Sequence, residues 1–443
     1  MTRDPPRSQW PRFFLADLTA QIQSTAARRS YSAPFHKTFM KEGIVIMTPA
    51  DFGSIHRRKS TLTAILASIT LGLTACTNSG SEDTSAQKHN DTREIVDALG
   101  REVTVPEDID RVLMGGQKML YTTAFLNKEN PTDKIVAWPE DLQENDGATF
   151  DRYAEKFPEI KDITTTGEVY NNTMSLEQVL ETRPDVFVVN AGVFDAAQDA
   201  GLIEGLEKAG IPTLTVDYFI DPVKNTVPSI RMMGQLMDRE KEAEEFIDYY
   251  EQKVEMVTDR LKEADAAPTP TFLWRAPGYF ECCSTFANSN LAQIVELAGG
   301  ENISDDMIDA KQGQVSPEAI AGKNPEVIIA TGADWAQDRT PVKPGSYVPL
   351  GYDESPEDAV SDLKEVIDRQ PAVRETDAVK NHRTFAAWHH FYDSPYNFLA
   401  IEMFAKATHP ELFVDIDPAQ EVKELHEKFL PIDASGTFWT GLQ

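Results

Sequence analysis

The chain has 443 residues, more than one ordinary hydrophobic core supports, so two globular lobes are expected. Its composition is that of a folded protein, with 41% hydrophobic and 26% charged residues. The net charge is −30, and residues 76–443 alone hold 32 basic against 68 acidic residues. Because nucleic acid requires a basic surface, this acidity argues against nucleic-acid binding.

An apolar run of residues 62–73 follows the basic cluster His56–Lys59 and is too short to cross a bilayer. Leu73-Thr-Ala-Cys76 ends the run, with a small residue before the cysteine, where a signal peptide is cut. This segment resembles the lipobox of bacterial lipoproteins, which implies that Cys76 is acylated and becomes the mature N-terminus. The alternative is a buried helix with a cysteine by chance. The polar residues 77–90 favour the first interpretation, because they suit a surface tether.

Cys282 and Cys283 are the other two cysteines of the chain. Because they are adjacent, they form neither a long-range disulfide framework nor a zinc knuckle. Two interpretations stay open at this point: a pair of small core residues, or a vicinal disulfide in an oxidising compartment.

Short apolar runs alternate with helical stretches, which predicts an α/β fold with parallel sheets buried on both faces. Residues 95–106 predict a leading hairpin around a Gly turn. Seven further strands are predicted, at residues 111–114, 135–138, 186–189, 214–216, 272–274, 327–330 and 384–388. Between the fourth and fifth of these runs, apolar residues recur at helical spacing. A helix is therefore predicted to join two α/β lobes.

An internal repeat supports this division. Ser175–Val189 matches Ser316–Ala330 without a gap at a distance of 141 positions, and each copy carries a Ser-x-Glu start and a Pro before an apolar run. A short helix that leads through Pro into a buried strand is therefore predicted once in each lobe. The predicted segments are an N-terminal extension (1–46), a signal peptide (47–75), a tether (76–91), an N-terminal lobe (92–221), a connecting helix (222–240) and a C-terminal lobe (241–443).

Residues 92–430 resemble the iron-siderophore and vitamin B12 periplasmic-binding proteins. The matching features are the Asp97–Pro106 segment, the two Ser-x-Glu signatures and the Leu297–Ile303 segment. That resemblance implies two Rossmann-like lobes joined by one rigid helix. It also implies a permease dimer as partner, with Glu177 and Glu318 as docking carboxylates. The alternative is that both are ordinary acidic residues in a first helical turn.

Ligands of open α/β sheets bind beyond the carboxyl ends of the strands, and this rule selects the ligand-binding candidates. Aromatic faces, directed polar groups and Arg suit an anionic chelate, and imidazole or phenolate suits a metal with an open position. The candidates are Met114, Gln117, Trp138, Tyr170, Trp274, Arg275, His389, His390 and Tyr392. His389 is the candidate metal ligand. For each of these residues the alternative is a place in the core or in a capped loop.

The predicted function is capture of an iron-siderophore by a lipid-anchored protein on the extracytoplasmic face of the membrane, acting as a monomer without an intrinsic cofactor. A nickel chelate, haem or cobalamin is the alternative ligand. An enzyme on the same fold is the rival class, but the sequence lacks a Gly-rich phosphate loop, a Gly-x-Ser-x-Gly elbow and a His-Glu-x-x-His motif. A purely adhesive surface lipoprotein is the third alternative, and it would bind no small ligand saturably.

Overall fold

The structure is a computed structural model that describes residues 91–335 and 343–442. The extension, the signal peptide and Cys76 lie outside the described residues, as does the tether up to Asn90. The first element is an antiparallel hairpin of β1 (Thr92–Val96) and β2 (Glu102–Pro106), as the sequence predicts.

The first lobe is built from residues 112–216. Its elements are β3 (Val112–Met114), α1 (Leu120–Leu126), β4 (Ile135–Trp138), α2 (Asp141–Asn145), α3 (Gly147–Lys156), β5 (Thr164–Thr165), α4 (Leu176–Thr182), β6 (Val186–Asn190), α5 (Ala191–Asp199), α6 (Leu202–Lys208) and β7 (Thr213–Val216). The five strands form one parallel sheet in the order β5-β4-β3-β6-β7. The continuous apolar runs become its buried central strands, since helices cover both faces.

Two helices follow the first sheet, α7 (Pro222–Leu236) and α8 (Glu240–Glu263). Pro222 occupies the first turn of α7, where its missing N–H costs nothing. The helix ends at Leu236, and Asp238 takes a positive φ of 52° before α8 begins. The chain crosses between the lobes once, because each sheet takes its strands from one continuous segment.

The second lobe is built from residues 269–441. Its elements are β8 (Thr269–Trp274), β9 (Ser284–Phe286), α9 (Leu291–Leu297), β10 (Gly300–Asn302), β11 (Gln312–Gln314), α10 (Pro317–Lys323), β12 (Val327–Gly332), α11 (Pro356–Asp368), α12 (Pro371–Arg374), α13 (Asp377–Lys380), β13 (Thr384–Trp388), α14 (Asn397–Thr408), α15 (Pro418–Phe429) and β14 (Trp439–Gly441). The main sheet has the order β10-β8-β12-β13-β14, with only β14 antiparallel, and β9 pairs with β11 separately. The predicted α/β fold of two lobes with parallel sheets is confirmed.

The internal repeat forms the same unit in both lobes. Ser175 caps α4 and Ser316 caps α10, each accepting a hydrogen bond from a backbone N–H of the first turn. Each helix then ends in a left-handed residue and leads through Pro into β6 or β12, next to the first strand of its sheet. The repeated sequence therefore specifies a repeated helix–strand unit.

Aromatic packing joins the connecting helices to both lobes. The ring of Phe246 on α8 stacks on Phe125 of α1 with centroids 3.8 Å apart, and it packs edge-on against Phe398 of α14 at 6.2 Å. The hydroxyl of Tyr396 donates a hydrogen bond to the carbonyl oxygen of Tyr121 at 2.6 Å. The lobes therefore share a packed junction at the base of the cleft. In the described ranges, no helix is long and apolar enough to cross a membrane.

Candidate functional site

The candidate site lies in the cleft between the lobes, at the carboxyl ends of the parallel strands. Tyr392 is at its centre, on a short helical turn, His389–Asp393, that directly follows β13. Lys118 of the first lobe donates a hydrogen bond from Nζ to the Tyr392 hydroxyl at 2.9 Å. The Phe219 ring, which follows β7, meets the Tyr392 ring edge-on at 5.5 Å. The turn after β13 thus brings both lobes together.

The two predicted histidines have different surroundings. His389 is 6% exposed, its Nδ1 is 2.8 Å from the Thr331 hydroxyl, and its ring contacts Trp335 at a centroid distance of 5.2 Å. His390 is 1% exposed, and its Nε2–H donates to the carbonyl oxygen of Asn145 in the opposite lobe at 3.0 Å. Burial lowers the pKa of both imidazoles well below the ordinary histidine value, so both are neutral at pH 7. His390 therefore links the lobes, and His389 lies beside the cleft aromatics.

Arg275 is the cation that the second lobe contributes. It follows β8, and its guanidinium lies over the rings of Phe280 and Phe286 at 4.3 and 5.2 Å. Burial lowers its pKa from the ordinary arginine value, and the nearby Tyr392 and Tyr170 act in the opposite direction. Within the described ranges, Arg275 forms no ion pair. An arginine held between aromatic rings without a carboxylate is suited to an anionic ligand.

Lys118 is a second cation, which the sequence analysis did not select. Burial acts to lower the pKa of Lys118, but the charges of Tyr392, Asp141 and Asp393 outweigh burial and raise it. The lysine is therefore charged at neutral pH. Its position one residue after Gln117, in the loop after β3, is the signal that could have identified it.

Three predicted ligand residues are in the core instead of the cleft. The side chains of Met114, Trp138 and Trp274 are at most 2% exposed and pack in the main hydrophobic cluster. Gln117 is also buried, and its side-chain oxygen accepts a hydrogen bond from the backbone N–H of Gln143. Tyr170 is 79% exposed on the loop before α4, close enough to Arg275 to affect its pKa. Of the predicted residues, the cleft therefore brings together Arg275, His389 and Tyr392: the His389 and Tyr392 rings are 4.7 Å apart, and Phe286 packs against both Tyr392 and Arg275.

The predicted docking residues and cysteines lie outside the centre of the cleft. Glu177 and Glu318 are exposed at the second positions of α4 and α10. No ion pair of either residue is present in the part of the chain that the structure describes. Cys282 and Cys283 are joined in a disulfide, two residues after Phe280.

A carboxyl group links the lobes beside Lys118. Asp393 accepts a hydrogen bond from the Nδ2 amide of Asn190, which ends β6, at 2.7 Å. Burial raises the pKa of Asp393 to about 7, which the charge of Lys118 only partly opposes. In the folded protein, Asp393 thus takes up a proton near neutral pH.

Asp393→Asn is expected to change how stability depends on pH. Since the folded pKa is raised above the unfolded value of about 3.9, the contribution of Asp393 to stability is fully present below about pH 4 and is lost as the pH rises through about 7. Relative to the variant, the wild type should lose roughly 2–4 kcal/mol of unfolding free energy across this range. Denaturant unfolding at a series of pH values measures the difference. Asp199→Asn, an exposed change outside the cleft, is the control. Parallel profiles for the wild type and Asp393→Asn would contradict the assignment.

A surface cavity of about 590 Å³ lies elsewhere, between α15 and the C-terminal residues 432–439. None of the predicted ligand residues lines it. The strand-end cleft is therefore the better candidate.

Two parallel-sheet lobes, joined by a single crossing of the chain and meeting at their strand ends, define a bilobal solute-binding protein. Residues 130–387 match the family described as periplasmic binding protein, and this match covers more than half of the chain. The chain belongs to the periplasmic binding protein family. Members of this family bind small solutes outside the cytoplasm and work with ABC-type permeases. No curated protein sequence gives a significant match.

Solved structures agree with this assignment. The chain is similar to a TroA-like periplasmic binding protein, FepB, from Veillonella parvula, with a TM-score of 0.71 and 26% identity over 79% of this chain and 99% of that one. It shares its fold with the Haemophilus influenzae molybdate-binding protein MolA in its molybdate complex (TM-score 0.57, 18% identity, 78% and 99% covered). It also shares its fold with Helicobacter pylori CeuE in a nickel–histidine complex (TM-score 0.56, 16% identity, 77% and 97% covered).

Proposed function

We propose that this protein captures an iron-siderophore, an anionic ferric chelate, and delivers it to the permease of an ABC importer. The observation that carries the proposal is the set of cations and aromatic rings in the cleft. Arg275 lies over two Phe rings without an ion pair in the described ranges. Lys118 of the other lobe hydrogen-bonds Tyr392, whose ring is stacked with that of Phe286 at a centroid distance of 6.5 Å. Aromatic faces pack against the organic part of a chelate, and the cations attract its charge.

The closed base of the cleft supports capture with little movement of the lobes. His390 and Asn190 each form a hydrogen bond across the two lobes, and Tyr396 forms another at the base. A helical connection, α7 followed by α8, with α8 packed on both lobes, also resists bending, in contrast to a flexible crossover. The site is thus largely formed before the ligand arrives.

Delivery requires a surface that the permease recognises. Glu177 and Glu318 support this role, because they occupy equivalent exposed positions on the two repeated helices. One carboxylate for each lobe would place the loaded protein across a two-subunit permease. We assign both residues to docking and none to catalysis.

Titration of tryptophan fluorescence tests the function on the chain from Thr77 onward, which contains every described residue. Trp335 contacts His389 and Tyr279 at the cleft, so a bound chelate should quench its emission. We expect saturable quenching by a ferric siderophore at submicromolar concentration, and loss of most of the signal in Trp335→Phe. If only haem, cobalamin or nickel–histidine binds, the transport role stands and that compound replaces the iron-siderophore as the proposed ligand. No binding across the panel would contradict the proposal.

The lipobox pattern supports a membrane anchor at Cys76, outside the described residues. Two acyl chains are needed for stable attachment, and lipid modification of the new N-terminus supplies them. Cys76→Ser should move the protein from the membrane fraction to the soluble fraction in cell fractionation. Unchanged membrane association would exclude this anchor.

A further inference from the structure

A small cavity lies in the second lobe, between the loop that follows β8 and the C-terminal end of α11. Its volume is about 210 Å³, and its lining includes Trp274, Cys282 and Arg369. One water molecule takes up ~30 Å³, and pockets for drug-sized ligands hold roughly 300–1,000 Å³. The cavity therefore suits a ligand of only a few non-hydrogen atoms.

The polar groups of this cavity carry both signs of charge. Trp274 is 2% exposed, and its Nε1–H has no hydrogen-bond partner among the described residues. The guanidinium of Arg369 pairs with Glu365 and donates to two backbone carbonyl oxygens. Glu281 adds an exposed carboxylate to the lining. Since a buried donor without an acceptor is costly, an occupant with an anionic group near Trp274 and Arg369 and an ammonium near Glu281 would be stabilised.

The two cysteines of the disulfide differ in their access to this cavity. Cys283 is fully buried in the main hydrophobic cluster, and its backbone pairs with that of Val315. Cys282 is half-buried and lines the cavity, whereas Cys283 does not. Thiol–disulfide exchange requires that a thiolate reach one of the two sulfurs. A small thiolate therefore reaches this disulfide at Cys282.

The disulfide lies between two segments that hold Arg275 in the cleft. Before it in the chain, the Phe280 ring lies 4.3 Å from the Arg275 guanidinium. After it, the carbonyl oxygen of Ser284 accepts the backbone N–H of Arg275 at 2.8 Å. Because the two cysteines are adjacent, their S–S bond closes a small ring with the peptide group between them and restricts the backbone there. Opening the ring gives conformational freedom to both segments.

We propose that Cys282–Cys283 is a redox-active disulfide that a small aminothiol opens from this cavity, and that its opening weakens ligand binding at Arg275. The effect on ligand binding rests on the function proposed above. In the oxidising space outside the cytoplasm the disulfide is closed, and the closed form binds the ligand. Where aminothiols accumulate, the protein loses affinity.

The exchange takes two thiol molecules. The thiolate of the first forms a bond to Sγ of Cys282 as the S–S bond breaks. Cys283 leaves with the electron pair of that bond and takes up a proton, since burial disfavours a thiolate. The second thiolate attacks the small-molecule sulfur of the mixed disulfide and releases Cys282, which is protonated in turn. The protein disulfide is reduced to two thiols, and the two aminothiols are oxidised to their disulfide.

The point of attack is tested without any ligand, on the full chain with free cysteine as the thiol. Peptide mass spectrometry assigns each modified residue, so Cys76 is distinguished from the pair. We expect a mixed disulfide on Cys282 and a free thiol at Cys283. A mixed disulfide on Cys283 would overturn the proposal. Reduction by a thioredoxin-like protein but not by cysteine would also overturn it, because the cavity would not be the route.

Two single variants form a matched pair for the same point. Cys283→Ser leaves the thiol that lines the cavity, and Cys282→Ser leaves the buried one. In the folded protein we expect iodoacetamide to alkylate Cys282 of the first variant at least about tenfold faster than Cys283 of the second. Both should react alike once unfolded in denaturant. Equal rates in the folded variants would contradict the assignment of access.

The effect on the cleft is measured by titration of the oxidised and cysteine-reduced protein with a ferric siderophore. We expect the reduced form to bind about three- to tenfold more weakly, and reoxidation to restore the affinity. Cys282→Ser/Cys283→Ser should bind as the reduced form does and should not respond to cysteine. In Arg275→Gln the difference between the two redox forms should disappear. Equal affinity of the two wild-type forms, or a full redox effect in Arg275→Gln, would overturn the proposed regulation.

Failure of the proposed function has a different signature. If no chelate binds either redox form, the ferric ligand is wrong, and the labelling of Cys282 still decides whether the disulfide is open to a small thiol. If a chelate binds and Cys282 does not react, the transport ligand stands and the redox-active disulfide is wrong.

Discussion

Replacement of Glu177 and Glu318 by arginine in one double variant is expected to abolish uptake of the ligand while its affinity stays within about twofold of wild type. The two carboxylates occupy equivalent exposed positions at the starts of α4 and α10, and neither forms an ion pair in the described ranges. If the two carboxylates pair with basic residues of the permease, the introduced arginines would instead repel those residues at two points. No hydrogen bond or ion pair joins either carboxylate to a cleft residue in the described ranges, so the ligand contacts should be unchanged.

Ligand uptake in cells and ligand affinity of the purified variant are the two measurements. Glu181→Arg/Glu301→Arg is the matched control, because both residues are exposed, one lies in each lobe, and the charge change is the same. The control should transport normally. Loss of ligand binding in the Glu177→Arg/Glu318→Arg variant, or uptake equal to that of the control, would contradict the docking assignment.

Arg275→Gln is expected to weaken binding of the ferric chelate by roughly 10- to 100-fold, the range for a charge-assisted hydrogen bond. The guanidinium lies over Phe280 and Phe286 and is largely removed from water, so its attraction for an anion is little screened. Glutamine keeps an N–H donor and removes the charge. Isothermal titration at two salt concentrations separates the contribution of the charge from that of the hydrogen bond.

The control for this change is Arg231→Gln on the outer surface of α7, where the arginine pairs with Glu244 at 2.7 Å. It removes the same charge from the protein without reaching the cleft, so the affinity should not change. If Arg275→Gln and Arg231→Gln bind equally well, the ligand does not contact Arg275.

The sequence was sufficient to predict the elements that local patterns specify. The apolar runs at β4, β6, β12 and β13 are continuous, as strands buried on both faces require, and the structure confirms them. The repeat predicted one helix–strand unit for each lobe, because Ser capping and the Pro before the strand are local signals. The rule for strand ends also selected Arg275, His389 and Tyr392.

The face on which each strand-end side chain lies was decided by the tertiary structure. Successive residues of a strand point to opposite sides of the sheet, so one position separates a core residue from a cleft residue. Trp274 ends β8 and is buried, whereas Arg275, the next residue, lies in the cleft. Aromatic composition alone does not distinguish these two positions.

The sequence also did not predict the contacts between segments that are distant along the chain. Lys118 and Tyr392 are 274 positions apart, and their hydrogen bond exists because the two sheets meet at their carboxyl ends. The hydrogen bond between His389 and Thr331 likewise joins the end of β13 to a residue of β12. The sequence by itself determined the class of protein, since periodicity, capping and the repeat are local. The fold decided the chemistry of the cleft, because its side chains become buried and form hydrogen bonds between the lobes only when the lobes pack together.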